Sequence, residues 1–386
     1  MALISPITDA CKAKWLGTAS GAKLGARPEL SRAVYRPFAN PISPLCLAAL
    51  GLALLPAHAA VAATPGTSAT TCHHLLPIGA WNLQWLGSAK AGHRKAQAPE
   101  DIASLLQFAA VDILAMEEVS ATGQDAQGHA RNDTLDAVFA QLNQAGAQWA
   151  YALFPKRDGA RAPQDQWTGL AWNAAAVTPV AGPVRLEARI DAAREDAIRQ
   201  RLDTPDANTV VWSRWPQAMK FSAGKGLSDF VVLPIHLKSN IGGEATAQAR
   251  AYEAELIVQG LAHLPAALRD EDVIILGDSN LLQADEPAAQ TLQQAGFKDC
   301  NARDIGTHLS FRKGEKRAPF DRIFVKAAQP ETAGTCPADG KGQGPRDFKV
   351  IKPQDWQADI SNSQFQQRLS DHLLVRTTLC VMKDDD

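Results

Sequence analysis

The sequence predicts a layered α/β domain. Strand-like and helix-like segments alternate over roughly 300 residues, too much chain for two layers around one core. The strand at Val273–Leu276 is apolar throughout, as a buried strand requires, and that at Val111–Met116 nearly so. Composition agrees: 386 residues, 46% hydrophobic and 21% charged, is an ordinary globular balance. No internal repeat is evident.

The chain opens on a segment of different character. Pro44 to Leu55 is an apolar run too short to span a bilayer. Arg36 precedes it, and the small-x-small patterns Ala57-His58-Ala59 and Ala60-Val61-Ala62 follow. Residues 1–62 are therefore expected to be a secretory signal peptide, 63–71 a tether, and 72–386 the working domain, periplasmic or secreted. The long n-region fits translation starting near Val34, with residues 1–33 a start-site artefact; an extended leader is the alternative. Residues 1–62 hold six basic and two acidic side chains, so the remainder carries a net charge near −6, against −2 for the whole chain. That argues against a general polyanion-coating protein and leaves any nucleic-acid contact to a local basic face or a metal. Cys72, Cys300, Cys336 and Cys380 remain, with no CxxC, which favours disulfides over metal thiolates. Of three connectivities the preferred one is Cys72–Cys380 with Cys300–Cys336; free buried thiols are the alternative.

Within the domain, Ile78–Leu83 reads as the first strand. Pro99 opens a helix carrying Ile102, Leu105 and Leu106 at helical spacing. After the strand Val111–Met116 comes an amphipathic helix through Leu135, Val138, Phe139 and Leu142. Short strands are expected at Tyr151–Phe154, Gly169–Trp172, Val210–Trp212 and Phe230–Ile235. A helix over Ala245–Leu264 precedes the strand Val273–Leu276. Pro287–Gln294 forms a helix ending at Gly296, and late strands fall at Phe320–Val325 and Leu373–Leu379. Gly123–Asn132 and Ala327–Ser370 read as irregular loops.

Six polar segments sit within or beside these apolar runs: Trp81–Trp85, Met116–Val119, Pro234–Lys238, Gly277–Asn280, Phe320–Ile323 and Ser370–His372. Carboxylates and carboxamides supply oxygen ligands for a hard divalent cation. Histidines beside acids handle protons and phosphate charge. Asn82 inside an apolar strand needs partners, and a hydrogen bond within the core is its plain explanation. Asp278 and Asn280 can face one ligand or form an Asx-turn. His236 alone could be a satisfied core histidine.

In this order the six segments resemble the endonuclease/exonuclease/phosphatase superfamily of metal-dependent phosphoesterases, which includes deoxyribonuclease I, apurinic endonucleases, bacterial sphingomyelinases and inositol-phosphate phosphatases. The resemblance covers roughly Ile78 to Leu379. It implies a four-layer α/β/β/α sandwich of two packed mixed sheets, with the site at one edge of the pair. It also implies that Asn82, Glu118 and Asp371 bind Mg²⁺ or Mn²⁺, and that Asp278 and Asn280 orient the attacking water and the phosphate. Asp321 would pair with His372, while His236 contacts the phosphate or assists proton transfer. Phe320–Val325 and Arg214 in Ser213-Arg214-Trp215-Pro216 are similar to the deoxyribonuclease-like branch, making Arg214, and with it Asn240, substrate contacts. Where deoxyribonuclease I has a glutamate beside its first histidine, this chain offers Gln166, a weaker support for a cationic His236.

The expected function is a metal-dependent nuclease with a nucleic-acid substrate, acting as a monomer. Arg185, Arg189, Arg194, Arg199, Arg201, Arg214 and Lys220 form a basic stretch, but interleaved acids make it a solvated helix first. Trp167, Trp172, Trp212 and Trp215 can stack on bases, though strand tryptophans are more often core. The alternatives are a sphingomyelinase-like phosphodiesterase, which would need exposed residues such as Phe348, Trp356 or Phe365 at a loop tip, and a catalytically silent binding module.

Overall fold

The fold is set by strands that are apolar on both faces. The computed structural model describes residues 72–88, 97–156, 166–202, 210–309, 317–326, 332, 335–336 and 346–384. The expected leader and tether lie outside the described residues, and every element described belongs to the unit Gly66–Asp386.

Two mixed sheets result. The first runs in the order β13 (Lys349–Val350), β14 (Val375–Val381), β1 (His74–Leu86), β2 (Ile113–Val119), β6 (Trp167–Asn173), β5 (Trp149–Phe154). The second runs β11 (Phe297–Asp299), β12 (Asp321–Lys326), β10 (Val273–Asp278), β9 (Asp229–His236), β8 (Gln217–Ser222), β7 (Thr178–Arg185). Each has a central parallel pair, β1 with β2 and β10 with β9, flanked by antiparallel neighbours.

Side chains alternate across each strand. Leu76, Ile78 and Ala80 of β1 and Ile113 and Ala115 of β2 meet Val232, Ile274, Leu276, Ile323 and Val325 in a core between the sheets. The opposite faces bury against helices. Trp81, Leu83, Leu114 and Met116 pack on α1 (Pro99–Ala109), α2 (Asp133–Gln144) and α7 (Asn362–Arg368). Val231, Leu233, Val273 and Ile275 pack under α4 (Glu244–Ala262) and α5 (Pro287–Gln294), with Ile198 of α3 (Ala192–Arg199). Three apolar interfaces make four layers, the expected α/β/β/α sandwich. Helix starts follow local chemistry: Pro99 stands in the first turn of α1, and the Asn132 side chain accepts the Leu135 N–H (3.0 Å) to cap α2.

Three expectations need correction. Val210–Trp212 is not a strand: the Trp212 N–H goes to the Glu253 carboxylate (2.7 Å) instead of a neighbouring strand, while the side chains enter the second helix–sheet core. The described part of Ala327–Ser370 is not irregular. It contains β13, α6 (Pro353–Trp356) and α7, the last held by a Ser361–Gln364 capping box, and it buries Phe348 and Phe365. Gly123–Asn132 holds a minimal hairpin, β3 (Gly123–Gln124) with β4 (Ala130–Arg131). Part of the basic stretch is neutralised, Arg194 pairing with Glu255, Arg199 with Glu195 and Asp196, and Lys220 with Asp229 and Asp270. Trp167, Trp172 and Trp212 are buried core.

Both preferred disulfides are present. Cys72–Cys380 spans 308 residues and joins the segment just before β1 to β14; Cys300–Cys336 spans 36. Closure entropy grows with loop length, so Cys72→Ser with Cys380→Ser should cost about 2 kcal/mol more than Cys300→Ser with Cys336→Ser. Urea denaturation of the oxidised proteins measures this, and a reversed order would show that loop closure does not govern these bridges.

Candidate active site

Strand register builds one row of polar groups at one end of the sandwich. Asp278, the last residue of β10, pairs with His236 ending β9 and with Asp321 opening β12. All three continue the alternation of Leu276, Val232 and Ile323, so they face the first sheet. From that sheet Asn82 follows Ala80, and Glu117 follows Ala115, in the same sense.

The sheets meet at Asp278. Its Oδ2 accepts from Asn82 Nδ2 (2.9 Å) and its Oδ1 from Asn280 N–H (3.0 Å), the Asx-turn bond. The same Oδ2 lies 3.4 Å from His236 Nε2 and 3.8 Å from His372 Nε2. His372 Nδ1 sits 2.9 and 3.1 Å from the two Asp321 oxygens, and Trp81 Nε1 donates to the His372 carbonyl (3.0 Å). Asp321 does pair with His372 as expected.

Glu118 reaches the row by breaking the alternation. Its backbone is left-handed (φ 58°), at the point where β2 loses register with both neighbours. Its Oε1 stands 3.9 Å from His236 Nε2. Asp371 is held by Gln84, whose Nε2 donates to Oδ2 (2.7 Å) while its Oε1 accepts the Asp371 N–H (2.9 Å). Gln84 is itself left-handed (φ 45°).

The substrate candidates are placed less alike. Arg214 packs beside the row, donating to Gln166 Oε1 and to the Leu237 carbonyl (3.5 Å). Gln166 thus serves Arg214 and does not pair with His236, whose Nδ1 has no hydrogen-bond partner among the described residues. Asn280 Nδ2 also donates to Leu237 O (3.2 Å). Asn240 follows in the loop after β9, and no described contact joins it to the acids.

Electrostatics divide the two imidazoles. Burial opposes charge on both. At His372 the charges of Asp321 and Asp278 and the Asp321 hydrogen bond overcome it and raise the pKa well above the ordinary value. At His236 burial is reinforced by Arg214 and His372, and the pKa falls well below it. The surroundings therefore favour charge on His372 and oppose it on His236. Burial also raises the carboxyls of Glu118 and Asp278, despite the nearby cations.

Three contributors were not named from sequence. Glu117 is buried, with neither carboxylate oxygen hydrogen-bonded among the described residues; burial, then Asp321 and Asp278, raises its pKa well above normal. Its alternation with Ile113 and Ala115 was the available signal. Glu253 of α4 accepts the Trp212 and Lys238 N–H groups (both 2.7 Å), fixing the Arg214 loop to the end of β9. His308 lies beside Asp371 and His372.

The fold is similar to solved structures of low identity. An endonuclease/exonuclease/phosphatase family protein from Bacteroides thetaiotaomicron is 16% identical over 80% of this chain and 98% of that one, with a TM-score of 0.48. The human Nocturnin catalytic domain with bound sulfate is 15% identical over 80% and 95%, at 0.47. D. rerio TDP2 complexed with a single strand DNA product is 14% identical over 79% and 98%, at 0.44. No family model matches the sequence, and no curated protein matches it.

Gly277 makes this crowding feasible. A Cβ there would lie 2.2 Å from the Ile235 carbonyl and 2.5 Å from Glu117 Oε1, on a backbone of φ 136°. Gly277→Ala should therefore lower unfolding stability by about 2–4 kcal/mol, read by urea denaturation; an unchanged midpoint would mean the β9–β10–β2 contact is not tight.

Proposed function

We propose that this chain is a divalent-metal-dependent phosphodiesterase of the endonuclease/exonuclease/phosphatase kind, exported, with nucleic acid as its substrate. One observation carries the reading: Asn82, Glu118, His236, Asp278, Asp321 and His372, from both sheets, converge within hydrogen-bond or ion-pair distance at one edge.

The donor set suits a hard cation. Several buried acids, each raised by burial and by its acidic neighbours, crowd a space with one stable cationic ring. Asn82, Glu118 and Asp371 would hold Mg²⁺ or Mn²⁺. When bound, the ion supplies neutralisation of phosphate charge and of the leaving oxygen. Around it, His372, kept protonated by Asp321, binds a phosphate oxygen. Asp278, fixed by Asn82 and Asn280, orients the attacking water and accepts its proton. His236 is neutral and serves as a hydrogen-bond partner of the phosphate, not as a cationic acid. Arg214 offers a second positive charge for a flanking phosphate. Two disulfides agree with an exported protein.

A lipid phosphodiester is the second reading. Phe348 and Phe365, which a membrane-facing loop would have used, are buried, and Trp356 is tied by its ring N–H to Ser104. What favours it is Ile241 and Leu282, both exposed in the loops that follow β9 and β10.

Glu118→Ala, Asp278→Ala and His372→Ala should each lower kcat on bis-p-nitrophenyl phosphate by about 10²–10³-fold, and near wild-type turnover by any of them would remove that residue from the mechanism. EDTA should abolish hydrolysis, with Mg²⁺ or Mn²⁺ restoring it. Plasmid DNA and RNA should be cleaved in preference to sphingomyelin liposomes; the reverse preference would select the lipid reading.

A further inference from the structure

Backbone pairing brings His308 to the site. Leu309 N–H donates to Asp371 O (2.6 Å) and Leu373 N–H to Thr307 O (2.8 Å), so His308 and His372 face each other across an antiparallel bridge. Facing residues in such a bridge project to the same side. The two rings meet edge to face, centroids 4.9 Å apart, and Phe320 packs on both at 5.2 and 6.1 Å. This fixes His308 Nε2 at 3.8 Å from Asp371 Oδ2.

That separation is too long for a hydrogen bond. It suits two ligands of one cation: atoms about 2.1 Å from a metal lie about 3.0 Å apart at a right angle and about 4.2 Å apart when opposite. Ligand atoms of His308, Asp371 and His372 all lie within 4.8 Å of one another. His372 is already committed to Asp321 through Nδ1 and faces Asp278 through Nε2. His308 and Asp371 keep 28% and 18% of their side chains exposed, so an ion can reach them from solvent. Gln84 donates to the same Asp371 oxygen and accepts the Asp371 N–H, which holds the carboxylate in place beside His308.

We propose that His308 Nε2 is a ligand of the cation that Asp371 binds, giving a mixed nitrogen–oxygen site that selects Mn²⁺, Co²⁺ or Zn²⁺ over Mg²⁺. Imidazole suits the first-row transition ions, whereas Mg²⁺ takes oxygen ligands. The inference rests on the proposed cation at Asp371 and adds a donor and a preference to it.

Binding to metal-stripped protein without substrate tests it. Mn²⁺ titration followed by EPR gives affinity, Mg²⁺ competition gives preference, and pulsed EPR detects ¹⁴N coupled to the ion. Wild type should show nitrogen coupling. His308→Phe and His308→Asn should lose it and weaken Mn²⁺ binding about tenfold or more, while Mg²⁺ binding changes less than about threefold. In His372→Asn the coupling should persist. Absence of coupling in wild type, its survival in either His308 variant, or equal weakening of both ions would overturn the proposal. Hydrolysis without nitrogen coupling would leave the functional reading intact and remove this one. Coupling through His308 with no phosphodiester hydrolysed would do the opposite.

Discussion

The hydrogen bond from Asn82 to Asp278 is the contact on which the site depends. Each partner ends the inward-facing face of its own sheet, and their 2.9 Å contact joins the two sheets where the inter-sheet core turns polar. Below it Ala80, Ala115 and Leu276 fill the space with carbon. At its level the same alternation brings the polar row, Asn82 and Glu117 from one sheet and His236, Asp278 and Asp321 from the other. With the bond in place, Asp278 Oδ2 stands before two imidazoles, and the register with β9 and β12 does the rest. Without it Asn82 Nδ2 would lose its acceptor and Asp278 Oδ2 its amide donor, leaving only the Gln84 N–H on Asn82 Oδ1 and the Asn280 N–H on Asp278 Oδ1.

Polar positions inside apolar strands were legible because they are anomalies against a strong background. Asn82, Asp278 and His236 interrupt runs that otherwise bury both faces, and their order along the chain carried the resemblance. Glu117 was legible in principle from its parity with Ile113 and Ala115. Glu118 was not legible from parity, since a left-handed backbone turns it toward the row. His308 and Glu253 were out of reach for another reason. Each acts on a residue remote in the chain, through pairing or packing that no local pattern encodes. The same holds for α6 and α7, which are too short to show a helical period.

The two sheets repeat one pattern of strand directions, antiparallel pairs flanking a central parallel pair, although the sequence shows no repeat. Backbone hydrogen bonding and double-sided burial impose that pattern without requiring similar side chains. The end where both parallel pairs finish collects the loops that follow four central strands, which concentrates the polar residues there and leaves the opposite end to structural duties.

Cys72 and Cys380 mark that opposite end. His74 pairs with Val381, so the first and last strands lie side by side at the edge farthest along β1 from Asn82. A circularly permuted chain, with Cys72 and Val381 bridged by a short flexible linker and new ends opened in a surface loop, would keep the strand pairs of both sheets in register while giving up the contacts of Met382 and Lys383 with Ser228 and Leu227. Proximity of the two ends also means that a fused cargo protein would hang from the face remote from the acids, leaving their approach unobstructed.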